Sequence, residues 1–505
     1  MHRLQWFRVV GGVAATLLGG GCTDDDPATA PEAVLAGKPA PALKVTPSQL
    51  NLAGTGVTAT LSASSSATGP ITAAVSTPTC VSVANKGKQQ NQTKFTVTAT
   101  AAGACTITVG DGTTTVQVPV RVASTLGRVT LAAGIFHTCG IDPAGAAWCW
   151  GYNGYGQLGN TGGLGSAFAN PTPQQVSGGI TFAALTGGSN HTCGLTPAGQ
   201  AYCWGRNDYG QLGSAATSGT TDGHSTPVAV DGNLTFTAIE AGAEHTCGLS
   251  GGVLYCWGKN NVGQLGTTAG NGSQVPNPTP TPINSTLNFV AVAAGTDHTC
   301  GAAAGGAVYC WGDNSFGQLG NDQNVGEELV AHPTPTAVAG VPALASLAGG
   351  GHYTCGLTSA GVAWCWGDNF VGELGATTAD IRVPTPVAVT GGLSFATLVT
   401  GGGHTCGLAS GGTLYCWGGN LLGQLGSTTN LGTTTPNPTP AAVGGLTLAV
   451  VAANGAHACG ITTSGAAYCW GMNRYGQLGI TDNTDTDNPN ATPAAVTGGS
   501  TFATQ

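Results

Sequence analysis

Fourteen cysteines recur as seven pairs, and an imidazole or phenol stands two residues before each pair. The first reads His137-x-Cys139 and then Cys149. The others are Cys193 with Cys203, Cys247 with Cys256, Cys300 with Cys310, Cys355 with Cys365, Cys406 with Cys416 and Cys459 with Cys469. Two chemistries compete for this pattern. Opposed thiols on an antiparallel hairpin lie within disulfide range. Two thiolates and an imidazole could instead ligate a metal. The metal reading is the weaker one. No C-x-x-C spacing occurs, and the fifth copy puts Tyr353 where His137 stands, with His352 one residue earlier and on the other strand face. Closing a loop of this size stabilises by roughly 2–3 kcal/mol per bridge in the chain-entropy model.

The spacing also fixes a hairpin. Six pairs are ten positions apart and the third is nine apart. Cys139 opposite Cys149 leaves the loop Pro143-Ala144-Gly145, with glycine where a left-handed residue is needed; Gly199, Gly306, Gly361, Gly412 and Gly465 take the same place. Cys247 opposite Cys256 leaves the two-residue loop Gly251-Gly252, which suits a primed turn. The register pairs Thr138 with Trp150 and Gly140 with Trp148, placing aromatics on one face and sulfurs on the other, with Gly140 leaving room for Trp148. Both aromatics are expected in the core, and the histidines in hydrogen-bonded scaffold.

Each hairpin belongs to a longer sentence that recurs every 51 to 55 residues: H-T-C-G, W-C-W-G, then N-x-x-G-Q-L-G, as at Asn153–Gly159. Such a period, built of short strands and glycine turns, points to an all-β propeller or solenoid over 126–505. Each asparagine from Asn153 to Asn473 is expected to satisfy its own turn. Between the G-Q-L-G runs and Pro-rich returns lie segments that differ from copy to copy, which on one end of a rigid scaffold would form a binding surface. Phe168, Glu327, Glu328, Arg382 and Leu431 are its candidate contact residues. Asp482, Asp485 and Asp487 offer oxygen ligands for Ca²⁺ but lack the glycine and closing glutamate of an EF-hand loop.

The remaining sequence gives an address. Residues 1–22 read as a secretory signal: basic start, apolar run from Val9 to Leu18, three glycines, then Cys22. Cys22 is the cysteine left over once Cys80 is paired with Cys105, and L-G-G-G-C resembles a lipoprotein acylation site, with Leu18 one position too far from the cysteine. Residues 23–44 form an Ala/Pro-rich tether. Residues 45–122 read as strands of a small sandwich, with Cys80 and Cys105 joining two of them, and resemble a bacterial Ig-like domain. Only 7% of the residues are charged, the net charge is −9, and the 13 Lys and Arg form no basic cluster, which argues against nucleic acid. No P-loop or triad arrangement stands out, so no cofactor or catalysis is expected.

H-T-C-G-L, W-C-W-G-x-N and G-Q-L-G together resemble the regulator of chromosome condensation repeat family over about 126–505. The resemblance implies a seven-bladed propeller of four-stranded blades. The family's founder is a nucleotide-exchange factor for a nuclear GTPase, and secreted bacterial members include an inhibitor that grips an enzyme with one face. The signal, the paired cysteines and the scarcity of basic residues fit the secreted kind. The expectation is therefore an exported, lipid-anchored, monomeric module of the bacterial cell envelope. It would bind a protein or surface glycan without catalysis, and meet the membrane only through its lipid. A structural envelope protein, an enzyme on a propeller scaffold and an exchange factor are the alternatives. The two chain ends are expected to meet in one blade.

Overall fold

Cysteine spacing translates directly into strand register. In the first copy His137–Ile141 pairs with Ala147–Gly151 so that Cys139 faces Cys149, Thr138 faces Trp150 and Gly140 faces Trp148. Gly145 closes the loop at φ +88°, donating to Asp142 O. In the nine-spaced third copy Ser250 faces Val253, and Gly251 and Gly252 form the primed turn at φ +58° and +86°. All seven sulfur pairs are bonded, S–S 2.05 to 2.12 Å. Every bridge stays within its own copy: Cys139 to Cys149, Cys193 to Cys203, Cys247 to Cys256, Cys300 to Cys310, Cys355 to Cys365, Cys406 to Cys416 and Cys459 to Cys469. With both sulfurs of each copy in a bridge, neither is a thiolate that could hold a metal.

The computed structural model describes residues 43–504, apart from 48–49, 53–57, 67–68, 76–80, 90–91, 100–102, 123–129, 221, 328–329 and 500. Cys22 and the leader, Cys80, the Cys105 side chain and Glu328 lie outside the described residues. The first eight strands are β1 Lys44–Thr46, β2 Leu50–Leu52, β3 Thr58–Ser64, β4 Thr72–Val75, β5 Val81–Gln89, β6 Gln92–Ala99, β7 Gly103–Gly110 and β8 Thr115–Val122. They form two four-stranded sheets, β1-β3-β6-β5 and β2-β8-β7-β4. The sheets share one core in which Leu61, Phe95 and Val97 meet Ile107, Val118 and Val120. Alternation of these residues with Thr, Ser and Lys is what a sheet wet on one face requires.

Seven further four-stranded sheets follow, one per copy, for nine among the described residues. In the first, β9 Leu131–Ala133, β10 His137–Ile141, β11 Ala147–Gly151 and β12 Gln174–Gln175 run as a meander from inside outward. Each later copy repeats this order. The described residues contain no α-helix, and none long and apolar enough to cross a membrane.

Adjacent repeat sheets are joined by one recurring polar clamp. The backbone carbonyl at the Gln of G-Q-L-G accepts two hydrogen bonds from the next sheet: Gln157 O takes Trp204 Nε1–H and Thr192 Oγ1–H, each at 2.9 Å. The hydroxyl proton is thereby committed, so the same Thr192 oxygen accepts from His137 Nε2 at 2.8 Å. The clamp also closes the ring. Gln477 O in the last copy accepts Trp150 Nε1–H and Thr138 Oγ1–H from the first, and His457 donates to Thr138. In the fifth copy Tyr353 replaces the imidazole, its hydroxyl lying within hydrogen-bond reach of both His404 O and Thr405 Oγ1. Copy seven breaks the pattern. Ala458 occupies the threonine position, and His404 Nε2 has no partner.

Two expectations change here. The Trp after the second cysteine is fully buried in every copy, but the aromatic before it is half-buried, as Trp148 is with its indole donating to Asp142. Gly140 makes room for Phe502 rather than for Trp148: a Cβ there would stand 2.6 Å from the Phe502 ring, as one at Gly194 would stand 2.5 Å from Phe182. The chain ends meet at the first repeat sheet as expected: Ile141 N–H donates to Thr130 O, and Ala503 N–H donates to Ile141 O, as Ala183 N–H does to Leu195 O in copy two. Phe502 takes the place in the first copy that Phe182 takes in the second, its N–H bonded to Gly465 O at 2.8 Å as Phe182 N–H is to Gly145 O.

Two outcomes follow from the clamp. Ala458→Thr supplies the missing hydroxyl to Gln424 O and His404. It should stabilise the protein by about 1 kcal/mol, read as a raised thermal midpoint; an unchanged or lowered midpoint would contradict the geometry. The buried histidines set the acid response. Burial lowers the pKa of His137, His191, His245, His298 and His457 to about 3 and that of His404 to about 4. Their Nδ1 atoms have no acceptor to offer a second proton. The unfolded chain therefore binds more protons between those values and about 6.5. Stability is complete above that range and falls with pH, by about 1.4 kcal/mol per pH unit for each histidine. Glu240 and Glu373, raised to about 7 and 8, act in the opposite sense but are only two. Thermal midpoints should drop steadily from pH 6 to pH 4; a flat profile would show that these histidines are not buried.

Candidate partner-binding face

A meander alternates the ends at which its turns emerge. The turn between the first two strands of each sheet and the long loop between the last two therefore share one end. In the first copy Tyr152 N–H donates to Phe136 O at 2.9 Å, tying loop to turn. The same tie recurs as Arg206 to Asn190, Lys259 to Glu244, Asp313 to Asp297 and Asp368 to His352. The turns are also linked around the axis: Ile135 N–H to Gly188 O at 3.1 Å, Ser189 N–H to Ala243 O at 3.0 Å, Thr296 N–H to Gly351 O at 3.3 Å. The loop asparagines hold their own loops, Asn153 giving Nδ2–H to Asn160 O and Gly162 O and accepting from Leu158 N–H.

Three positions per copy crown this frame, and their side chains differ. They precede the His, follow the Trp-Gly, and stand two places after the Asn. In copies seven and one they give an aromatic cluster: Tyr152 and Tyr475 with ring centroids 4.9 Å apart, Phe136 and Tyr475 5.2 Å apart, and Tyr155 at 6.2 Å from Tyr152. The cluster continues into cations. Arg206 lies 5.3 Å over Tyr155 and 5.8 Å over Tyr209, and Lys259 lies 5.6 Å over Tyr209. Arg206 pairs with Asp208 and Glu244, and Lys259 with Glu244 at 2.9 Å and Asp297 at 3.5 Å. Burial works against the Lys259 charge, but Asp297 and Glu244 outweigh it and its pKa is raised. Burial raises Asp297, and Lys259 only partly offsets it. The arc is thus half-buried, nearly neutral and held in place before any partner arrives.

The fifth copy departs most. His352 stacks on Phe316 at 4.6 Å, and Arg382 covers the same ring at 5.1 Å. In copy four Gln318 Nε2 donates to Asp313 at 2.7 Å. In copy five the residue is Glu373, whose carboxylate accepts from Val371 N–H and faces Asp368. Two carboxyls in that place need a shared proton. Burial, then Asp368, pushes Glu373 up to about 8. Copy six presents Gly403 and Gly419 and leaves Leu421 exposed.

Of the residues singled out from sequence, Arg382 joins this surface through Phe316. Phe168 is 77% exposed on the first long loop and touches no other ring. Glu327 accepts from Asn324 at 3.1 Å, and Leu431 keeps to its own loop. The calcium candidate of Asp482, Asp485 and Asp487 does not assemble: Asp487 is taken by Arg474 at 2.6 Å, and no group of three potential ligands exists among the described residues. The aromatic–cation arc went unread. Its signal was present as three variable positions set between invariant ones.

The family model for the RCC1-like domain matches residues 216–504. The chain belongs to the RCC1-like family. Regulator of chromosome condensation (RCC1) repeats are also matched at 129–157, 144–195 and 182–211. The RCC1-like region is 29% identical over 311 residues to the Arabidopsis thaliana ultraviolet-B receptor UVR8, covering 60% of this chain and 68% of UVR8. It is 30% identical over 333 residues to the human E3 ubiquitin-protein ligase HERC2, covering 64% of this chain but 7% of HERC2. Among solved structures, Prp20p from Saccharomyces cerevisiae superposes with TM-score 0.62 at 22% identity, covering 72% of this chain and 88% of Prp20p. At that identity the likeness supports the β-propeller fold.

Glu373→Gln restores the donor that Gln318 supplies in copy four. Between about pH 4.5 and pH 8 the unfolded chain ionises Glu373 while the fold keeps it protonated beside Asp368, so wild-type stability falls as pH rises, whereas Gln carries no such cost. The thermal midpoint of Glu373→Gln should exceed the wild-type value by a margin that grows from pH 5 to pH 9; a margin independent of pH would contradict the shared proton.

Proposed function

We propose that this RCC1-like protein is an exported, lipid-anchored binding module of the bacterial cell envelope. Its seven-bladed propeller, carried on an Ig-like spacer, captures a protein partner through the long-loop face without catalysis. The observation that carries this reading is the contrast between the invariant frame and the Tyr152, Tyr155, Tyr475, Arg206 and Lys259 arc set on it. Protein interfaces concentrate affinity in rigid Tyr, Trp and Arg anchors, and here the ordering cost is met before binding. Seven disulfides support an oxidising compartment, in keeping with the leader read in residues 1–22 and acylation at Cys22. Protein binding also has a parallel in Prp20p, whose structure was described together with its binding to Gsp1p and histones.

Nucleotide exchange on a GTPase is the second reading, favoured by family membership. An exchange assay with the oxidised protein separates the two, because a binding module leaves nucleotide release at its spontaneous rate.

Crosslinking and capture from intact cells should recover one dominant partner. Tyr155→Ala and Tyr475→Ala should each weaken it by tenfold or more, whereas Ala144→Arg at the opposite end should leave it intact. Equal loss with Ala144→Arg, or none with the tyrosine variants, would overturn the assigned face. Cys22→Ser should release the protein from the membrane fraction; retention there would exclude that anchor.

A further inference from the structure

The axial channel holds a charged group that neither the clamp nor the partner face uses. The innermost strands enclose about 460 Å³, with walls that mix aliphatic side chains such as Leu347, Leu398 and Val450 with polar ones such as Thr186, Thr400 and Asn454. Among the described residues Glu240 is the one charged side chain lining it. The fold does not require a carboxylate at this point. Glu240 lies opposite Cys247, the register position held elsewhere by Ala132, Thr186, Ala293, Ala348, Val399 and Ala452. Its hydrogen bond from Thr186 Oγ1 is long, 3.5 Å, and that hydroxyl also accepts from Ala241 N–H at 3.0 Å. No ion pair reaches Glu240 among the described residues.

A carboxylate drawn into this channel is costly without a countercharge. Burial, eased by Thr186, pushes Glu240 up to about 7. The surroundings select the countercharge. Ca²⁺ takes six to eight oxygen ligands and Mg²⁺ a near-octahedral set, which one carboxylate does not supply. A primary ammonium needs only a few acceptors, and an alkyl chain attached to it suits aliphatic walls. The cavity falls within the size range of small-ligand sites, which are mostly apolar with a few placed polar groups.

We propose that the channel binds an alkylammonium group, with its head on Glu240 beside Thr186 and its chain along the aliphatic walls. The group comes from a free alkylamine or from a lysine side chain, and the two sources are separable. Calorimetric titration of the oxidised full chain would use n-hexylammonium chloride, Nα-acetyl-lysine methylamide and n-hexanol at pH 8. Hexylammonium should bind at least tenfold more tightly than hexanol, and Glu240→Gln and Glu240→Ala should each abolish that preference. Glu240→Ala restores the residue that four other copies carry, so the fold should tolerate it, with thermal unfolding as the check. A lysine derivative binding as tightly as hexylammonium assigns the site to a side chain, and weaker binding assigns it to a free amine. Hexanol binding as well as the amine, or amine binding unchanged in both Glu240 variants, would overturn the proposal.

Discussion

The repeat ring depends on one backbone carbonyl per copy. At Gln157, Gln211, Gln264, Gln318, Glu373, Gln424 and Gln477 that oxygen receives the indole N–H of the following sheet, at 2.9 to 3.1 Å. Six of the seven also receive a threonine hydroxyl. Neither group has access to water, so each broken clamp strands several buried polar atoms at once. The residue whose carbonyl does this is fixed by its turn, and the turn by its asparagine. The recurring letters of the repeat are therefore one mechanism: asparagine shapes the turn, the turn aims the carbonyl, and tryptophan and, in six copies, threonine of the next sheet read it. The disulfides act on the other side of each sheet, holding together the hairpin that carries tryptophan and threonine.

Such a frame leaves its crown free to vary. Because turn and loop are held by backbone bonds, residues 136, 152, 155 and their counterparts can change without cost to the ring. They have done so asymmetrically. Aromatics and paired cations occupy one arc, carboxyls and a stacked histidine the next, and copy six presents two glycines and leucine. That asymmetry is the physical basis for reading the face as a site for one partner in one orientation.

Much of the fold was legible because directly opposed cysteines convert residue counts into register. The Pro143-Ala144-Gly145 loop, the Gly251-Gly252 turn and the Thr138–Trp150 pairing all follow from counting. Contacts between copies were not legible. A sequence says that Trp150 is apolar and paired to Thr138; it does not say that both address Gln477, some 327 and 339 residues away. The filling of Gly140 by Phe502 escaped for the same reason. The candidate site was only half legible. The long variable loops contain Arg382, which joins the face, but equally Phe168 and Leu431, which stand apart from the arc. The arc lies at short variable positions beside invariant ones, where neighbouring copies must be superposed before Tyr155, Arg206 and Lys259 come together.

The most direct test of the clamp is hydrogen exchange of the tryptophan indole N–H groups, followed by NMR on the oxidised protein. The account predicts seven slowly exchanging indoles, at Trp150, Trp204, Trp257, Trp311, Trp366, Trp417 and Trp470. Trp150, which spans the join between last and first copies, should be protected as well as the rest, while Trp148 and Trp364 exchange quickly. Fast exchange at Trp150, or protection that differs widely from copy to copy, would contradict a closed ring held by this carbonyl.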